Sequence, residues 1–217
     1  VKRPKSEIDG LIREAARGAV EKLDPYLLAN FHYARGAEPE PEDERARLKE
    51  IDRLIAVTLS SDPADDDPWA LTLRGVMLNR EERWAEAIRE FNQALELNGA
   101  MASALNSRCG ARGHLPGQAE AAIKDCRAGL VLNPKSFETM DSLANVLDQD
   151  GQVEQAFATV RCAKRLSSTA KSVETTYKRL QAKLPNATLA PLTDKECSAI
   201  IKGAPVERSP SERTAAL

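Results

Sequence analysis

The chain has 217 residues, which is enough for one or two domains with a sizeable core. Its 31 basic and 33 acidic residues give a net charge of −2 and form no dense basic block, which argues against a nucleic-acid partner. No apolar stretch approaches the roughly 20 residues that span a bilayer, which argues against membrane insertion. Abundant Ala and Leu, with only 4% aromatic residues, favour helices over strands.

Residues 1–67 are predicted to form an N-terminal helical region. Apolar side chains recur three and four residues apart over residues 6–23, which predicts a first helix, and a short second helix is expected over residues 26–33. An acidic loop with two prolines separates it from a third helical pattern over residues 44–59. This region is also interpreted as a candidate degenerate repeat unit that precedes the clearer ones.

Residues 68–170 contain an internal repeat. Two positions recur in three successive units at intervals of 35 and 34 residues, and they hold first Gly75, Gly110 and Ala144 and then Ala87, Ala122 and Ala156. A turn lies between the two positions in every unit, so each unit is predicted to be a helix, a turn, a second helix and a loop. Small residues are expected where two helices cross closely, because a larger side chain would push the backbones apart.

This register resembles the tetratricopeptide repeat. The first unit matches the signature of that family at Leu71, Gly75, Leu78, Ala87, Phe91 and Ala94. In the second unit Cys126 replaces the usual aromatic residue and Gly129 the usual alanine, and in the third unit Ser168 replaces the usual proline. The resemblance covers about half of the chain and implies an all-α fold, a right-handed α-solenoid of helix-turn-helix repeats.

Residues 171–202 are predicted to close the solenoid. The spacing of Val173, Tyr177 and Leu180 indicates an amphipathic capping helix, which a solenoid needs to cover the open end of its core. Thr193 and Glu196 have the spacing of a capping box and predict a short helix after it. Residues 203–217 are polar and are predicted to form a mobile tail.

The four cysteines admit more than one interpretation. Cys109 and Cys126 are 17 residues apart across the turn of the second unit, on its first and second helix. Both are predicted to face the contact between these helices, either as buried thiols or as a disulfide that closes the hairpin. For Cys162 and Cys197 a second disulfide that ties the tail to the last repeat is an alternative, and free, partly buried thiols are the expectation.

A second resemblance concerns the first of these pairs. Asn106-Ser-Arg-Cys109 followed by Ala122-Ile-Lys-Asp-Cys126 is similar to a paired-cysteine repeat of bacterial exported tetratricopeptide proteins. That resemblance implies a Cys109–Cys126 disulfide. Because disulfides persist in oxidising compartments, it also implies a periplasmic or secreted protein whose leader is absent from this chain. A cytoplasmic protein is the alternative.

Catalytic and metal-binding motifs are not found in the sequence. His32 and His114 are far apart, and the cysteines lack the close spacing of zinc ligands. No nucleophile elbow and no glycine-rich phosphate loop occurs. We therefore expect no catalytic residue, no metal and no cofactor.

The resemblance implies instead a concave groove that binds a protein or peptide partner. Trp69 is the expected aromatic anchor, and three carboxylates in the third unit favour a basic segment of the partner. Of the positions at which some family members clamp a terminal carboxylate, only Arg108 is basic, which disfavours that use. The predicted groove residues are Trp69, Thr72, Val76, Asn79, Arg80, Ser107, Arg108, Ala111, His114, Glu138, Asp141, Asn145 and Asp148.

The function expected from this groove is that of a non-catalytic adaptor, as a monomer or a weak homo-oligomer. One alternative is a structural subunit that assembles through its repeat ends. The other is a regulatory subunit of an envelope enzyme complex.

Overall fold

A computed structural model describes residues 41–60, 67–185 and 192–204. This part of the chain contains nine helices and no strand. The helices predicted over residues 6–23 and 26–33 lie outside it, as does nearly all of the predicted tail. In chain order the helices are α1 (Pro41–Ser60), α2 (Pro68–Arg80), α3 (Trp84–Leu97), α4 (Ala102–Gly113), α5 (Ala119–Leu132), α6 (Phe137–Gln149), α7 (Val153–Leu166), α8 (Lys171–Lys183) and α9 (Asp194–Ile201).

The helices from α2 to α7 form three consecutive hairpins. Each hairpin pairs a first helix with a second helix, as α2 with α3, α4 with α5 and α6 with α7. The second helix of one hairpin also packs on the first helix of the next, and the first helices α2, α4, α6 and α8 contact one another in sequence. The predicted all-α solenoid is therefore confirmed.

Local sequence signals explain where several helices begin. The carboxylate of Asp67 accepts a hydrogen bond of 2.8 Å from the backbone N–H of Trp69, and Pro68 occupies the first helical position. The hydroxyl of Ser136 caps α6 in the same way by accepting from the backbone N–H of Thr139 at 3.1 Å. These caps satisfy backbone donors that have no partner inside the helix.

The turn inside each hairpin needs one residue in the left-handed backbone region. Gly117 and Gly151 take this position in the second and third hairpins, with φ of 73° and 80°. The first hairpin has Glu82 there, with φ of 60°. Because a Cβ atom is disfavoured in this region, the first turn is the strained one of the three.

Phe91 and Gly75 form the tightest contact between the helices of the first hairpin. The ring of Phe91 is fully buried, and a Cβ atom added at Gly75 would lie 2.5 Å from its Cε1 atom. Gly110 holds the same repeat position in the second hairpin, yet nothing lies within 4 Å of a Cβ atom added there. The expectation that a close crossing requires both glycines is therefore right for Gly75 and wrong for Gly110.

Helices α1 and α8 cover the two ends of the three-hairpin array. Ile51, Leu54 and Ile55 of α1 pack against α2, and all three are buried. At the other end Val173 and Leu180 of α8 are fully buried against the third hairpin. No described helix is both long enough and apolar enough to cross a membrane.

Candidate functional site

The first helices α2, α4, α6 and α8 lie side by side and form one face of the solenoid, which we call the inner face. Thirteen predicted groove residues lie on α2, α4 and α6 or directly after α4, and they differ in accessibility. The exposed ones are Trp69, Arg80, His114 and Glu138. The partly exposed ones are Val76, Asn79, Ser107, Arg108, Asn145 and Asp148.

Thr72, Ala111 and Asp141 are buried, which corrects their assignment to the groove surface. They stand near the contacts between neighbouring first helices, which pack closely enough to cover them. The Thr72 hydroxyl donates a hydrogen bond of 2.7 Å to the backbone carbonyl of Pro68, so its polar atom is satisfied inside its own helix. Asp141 retains one buried carboxylate oxygen without a hydrogen-bond partner.

The acidic end of the inner face is neutralised within the chain. Asp148, whose side chain is 6% exposed, accepts a hydrogen bond of 2.6 Å from Lys183 Nζ and lies 3.5 Å from Arg179 Nη2. Arg179 also donates to the side-chain oxygen of Asn145 at 2.6 Å. Both cations come from the capping helix α8. Of the three predicted carboxylates, only Glu138 remains exposed, so the reason for expecting a basic partner segment is largely removed.

Two further predicted groove residues join one hairpin to the next. Asn79 donates a hydrogen bond of 3.1 Å from Nδ2 to the backbone carbonyl of Ser107, which links α2 to α4. His114 stacks on Trp84 with ring centroids 4.0 Å apart and planes at 8°. These side chains therefore fix the relative position of the first two hairpins, whatever else they contact.

Arg108 is engaged inside the second hairpin. Its guanidinium group donates to both carboxylate oxygens of Asp125 on α5, at 2.8 Å and 2.6 Å. A third bond of 2.8 Å reaches the side-chain oxygen of Asn92 on α3. This ion pair was not predicted from the sequence, although Arg108 and Asp125 each directly precede a cysteine of the paired-cysteine motif.

Both cysteine pairs are bonded. Cys109 and Cys126 join α4 to α5, with their Cα atoms 5.4 Å apart, as the second resemblance implies. Cys162 and Cys197 join α7 to α9, with their Cα atoms 5.7 Å apart, so the expectation of free thiols for that pair is wrong. The reason is that α9 folds back onto α7 and brings the two side chains together.

No group of three or more His, Cys, Asp and Glu side chains gathers into a metal site within residues 41–60, 67–185 and 192–204. The inner face is thus a surface of mixed polar and apolar side chains on a rigid array of helices.

No protein-family model matches the sequence, and no curated protein matches it. Many solved structures share its fold, among them the following three. The tetratricopeptide-repeat (TPR) domain of Arabidopsis OM64 has 22% identity, covers 53% of this chain and 94% of its own, and gives a TM-score of 0.50. The Sgt2 TPR domain from Aspergillus fumigatus has 18% identity and a TM-score of 0.51. The match covers 67% of this chain and 93% of the Sgt2 chain.

The third structure, described as the MamA RS-1 ArsTM double mutant, has 15% identity and a TM-score of 0.56. It covers 84% of this chain and 90% of its own. These similarities show that the three hairpins adopt the tetratricopeptide-repeat fold.

Proposed function

We propose that this protein is a non-catalytic adaptor that binds an extended or helical segment of another protein along its inner face. A rigid stack of first helices provides a long, preformed surface, which lowers the ordering cost of binding. Similarity to TPR domains supports an interaction role in general terms, and the residues of the inner face support the finer assignment.

The observation that carries this proposal is the exposure of Trp69. Its side chain is 48% exposed, although a ring of this size gains several kcal/mol in general when it is buried. Trp69, Val76 and Arg80 are seven and four residues apart, so they share one stripe of α2. Aromatic residues of this kind dominate the binding energy of many interfaces. We therefore assign Trp69 as the anchor of the bound segment.

Charged groups of the inner face that are already paired within the chain limit the kind of segment that this face can bind. Asp148 is paired with Lys183 and Arg179, and Arg108 is paired with Asp125, so these charges offer little to a partner. Trp69 and Val76 offer apolar contact, and Glu138 is the exposed carboxylate. We propose that the segment is held mainly by an apolar side chain at Trp69, with polar contacts elsewhere.

Self-assembly through the repeat ends is less well supported. Among the described residues of α8, Lys171, Ser172, Thr175 and Lys178 are polar and exposed. A polar outer face of this kind is typical of a capping helix that ends an array and does not continue it. We therefore favour an adaptor over an assembly subunit.

The two disulfides are informative about the cellular compartment of the protein. Structural disulfides form and persist in oxidising compartments and are rare in the cytosol. Two bonds that consume all four cysteines support maturation in such a compartment. We propose that the protein is periplasmic or secreted.

A photo-crosslinking experiment tests the groove. A photoreactive phenylalanine analogue at position 69 should capture a defined partner peptide, whereas the same analogue at position 97 should not. Leu97 is a matched control because it is 55% exposed but lies at the end of the second helix α3. Recovery of that partner should fall about tenfold in Trp69→Ala, which is the usual cost of losing an aromatic anchor, and stay unchanged in Leu97→Ala. Equal capture at both positions, or equal recovery with both variants, would contradict the proposal.

A further inference from the structure

A second concave surface lies away from the inner face, between the second helices α5 and α7 and the terminal helix α9. This outer cleft has a volume of about 860 Å³. That size is within the range of pockets that enclose small organic ligands, roughly 300–1,000 Å³. A cleft of this size can hold a small molecule.

The lining of the outer cleft is largely apolar. Leu130 and Met140 are buried at its base, and Ile201 of α9 contributes to its wall. Val131 and Leu166 also line it, although they are 73% and 46% exposed. A ligand with a hydrocarbon part would remove Val131 and Leu166 from water if it lay in the cleft.

The charged residues of the outer cleft are mostly basic. Arg165 is paired with Asp194, with 2.9 Å between Nη2 and Oδ1. Arg127, Lys135 and Lys202 also line the cleft, and no described carboxylate pairs with any of them. The cleft therefore has an excess of positive charge beside an apolar surface.

Arg127 is the most specific of these cations. Its Nε atom is buried and has no hydrogen-bond partner among the described residues. The backbone of Gly203 packs against its guanidinium group so closely that a Cβ atom there would lie 2.8 Å from Cζ. A partly buried cation is costly without a counter-ion, and a planar guanidinium can pair with a carboxylate through two parallel hydrogen bonds.

We propose that the outer cleft binds a fatty acid. Its carboxylate pairs with Arg127, near Lys135 and Lys202, and its hydrocarbon chain covers Val131 and Leu166. An anionic head group satisfies the excess positive charge, and the chain removes exposed apolar surface from water. This site is independent of the partner segment proposed for the inner face.

The Cys162–Cys197 bond forms part of the cleft wall and holds α9 against α7. Helix α9 and the residue after it supply Asp194, Cys197, Ser198, Ile201 and Lys202 to the lining. Binding should therefore depend on this disulfide, since release of α9 removes one wall of the cleft.

Isothermal titration of the full chain with dodecanoate, below its micelle concentration, tests the proposal. Saturable binding at one site is expected, with dodecanol binding at least about tenfold more weakly because it lacks the charge. Arg127→Gln should raise Kd about tenfold, equivalent to 1.4 kcal/mol, whereas Arg89→Gln, an exposed arginine on α3, should leave Kd unchanged.

Leu166→Gln tests the apolar contact without a change of charge. It should raise Kd several-fold, whereas Leu97→Gln, at the equivalent end of α3, should not. Absence of dodecanoate binding, equal affinity for dodecanol, or unchanged Kd in Arg127→Gln would overturn the assignment. Binding of an acidic amphipathic peptide in place of dodecanoate would also overturn it, in favour of a protein ligand.

Discussion

Arg108 binds Asp125 through two parallel hydrogen bonds, from Nε to Oδ2 at 2.8 Å and from Nη2 to Oδ1 at 2.6 Å. Each residue directly precedes one half of the Cys109–Cys126 bond. A bidentate ion pair and a covalent bond thus join α4 to α5 at the same level. Glu90 occupies the repeat position of Asp125 in the first hairpin, where it pairs with Arg74. The acidic position is therefore a link between the two helices in both hairpins.

Asp125→Asn should lower the free energy of unfolding by about 3 kcal/mol, because it leaves two cations without a counter-charge in a largely buried site. The Asp125 side chain is 7% exposed, and it also accepts a bond of 2.6 Å from Arg112 Nη1. Urea denaturation followed by circular dichroism measures the loss. Glu120→Gln on the same helix is the control, since its exposed pair with Lys124 should contribute nothing measurable. Equal effects of the two substitutions would contradict the assignment.

Gly75→Ala and Gly110→Ala should have opposite effects, although both replace glycine at one repeat position. The methyl group of Gly75→Ala meets the buried ring of Phe91, so stability should fall by about 2 kcal/mol. Gly110→Ala fills open space inside a helix and should raise stability by about 0.5 kcal/mol, because alanine is the better helix former. The melting temperatures of the two variants, measured by thermal unfolding, should shift in opposite directions. A loss of similar size in both would show that Gly110 is also in a tight crossing.

The difference between these glycines has a local cause. Cys126 stands at the repeat position that Phe91 holds in the first hairpin, and it points towards Cys109 as a disulfide partner. The space that an aromatic ring fills in the first hairpin is therefore free beside Gly110. In the third hairpin Ala144 and Val160 take the same two positions, both fully buried.

Glu82→Gly should raise stability by about 0.5 kcal/mol. Glycine removes the strain of the left-handed backbone, which is about 1 kcal/mol. Part of this gain is offset because glycine also increases the conformational entropy of the unfolded chain. Gly151→Ala adds a Cβ atom at the equivalent position of the third hairpin. It should lower stability by about 1 kcal/mol, because φ is 80° there. Denaturant midpoints of the two variants should move in opposite directions. A loss of stability in Glu82→Gly would mean that its side chain makes a contact that outweighs the strain.

The helix pairs were predictable because they depend on local patterns. Apolar spacing, small residues at fixed intervals and intervening turns recur in every unit, so they place α2 to α7 to within a few residues. The capping box at Thr193 and Glu196 likewise identifies the start of α9 from two residues alone. These features are encoded within one helix or one turn.

The accessibility of the inner face depends on distances between helices, which local patterns do not contain. Thr72 and Asp141 occupy groove positions by register, but close packing of the first helices covers them. The pairing of Asp148 with Lys183 joins helices 35 residues apart in sequence. The Cys162–Cys197 bond depends on the direction in which the chain returns after α8, for which cysteine spacing carries no information.

Replacement of both Cys162 and Cys197 by alanine should release α9 without unfolding the hairpins. Helix α9 has eight residues and packs mainly on α7, so a bond across 35 residues is its principal restraint. Amide hydrogen exchange should rise in Asp194–Ile201, while α4 and α5 stay protected. In the control, replacement of Cys109 and Cys126 should lower global stability by about 3 kcal/mol and affect all hairpins. Unchanged protection of α9 in the first variant would show that packing alone holds it.

Acidification should weaken the start of α9 through Glu196. Hydrogen bonds from the Thr193 hydroxyl and, next, its backbone N–H hold the pKa of Glu196 below its ordinary value of 4.5. Because the folded pKa is the lower one, the capping box stabilises α9 fully above the ordinary value. That contribution is lost as the pH falls through the lowered folded pKa.

The amide resonance of Thr193 reports this titration directly, since its N–H donates to Glu196 Oε2 at 2.6 Å. In a pH series its chemical shift should change with a midpoint below 4.5 in the wild type. In Glu196→Gln, which keeps an acceptor but cannot titrate, that change should be absent. A midpoint above the ordinary glutamate value, or the same titration in the variant, would show that another group controls the end of this helix. The expected result would instead establish that Glu196 governs the acid response at the start of α9.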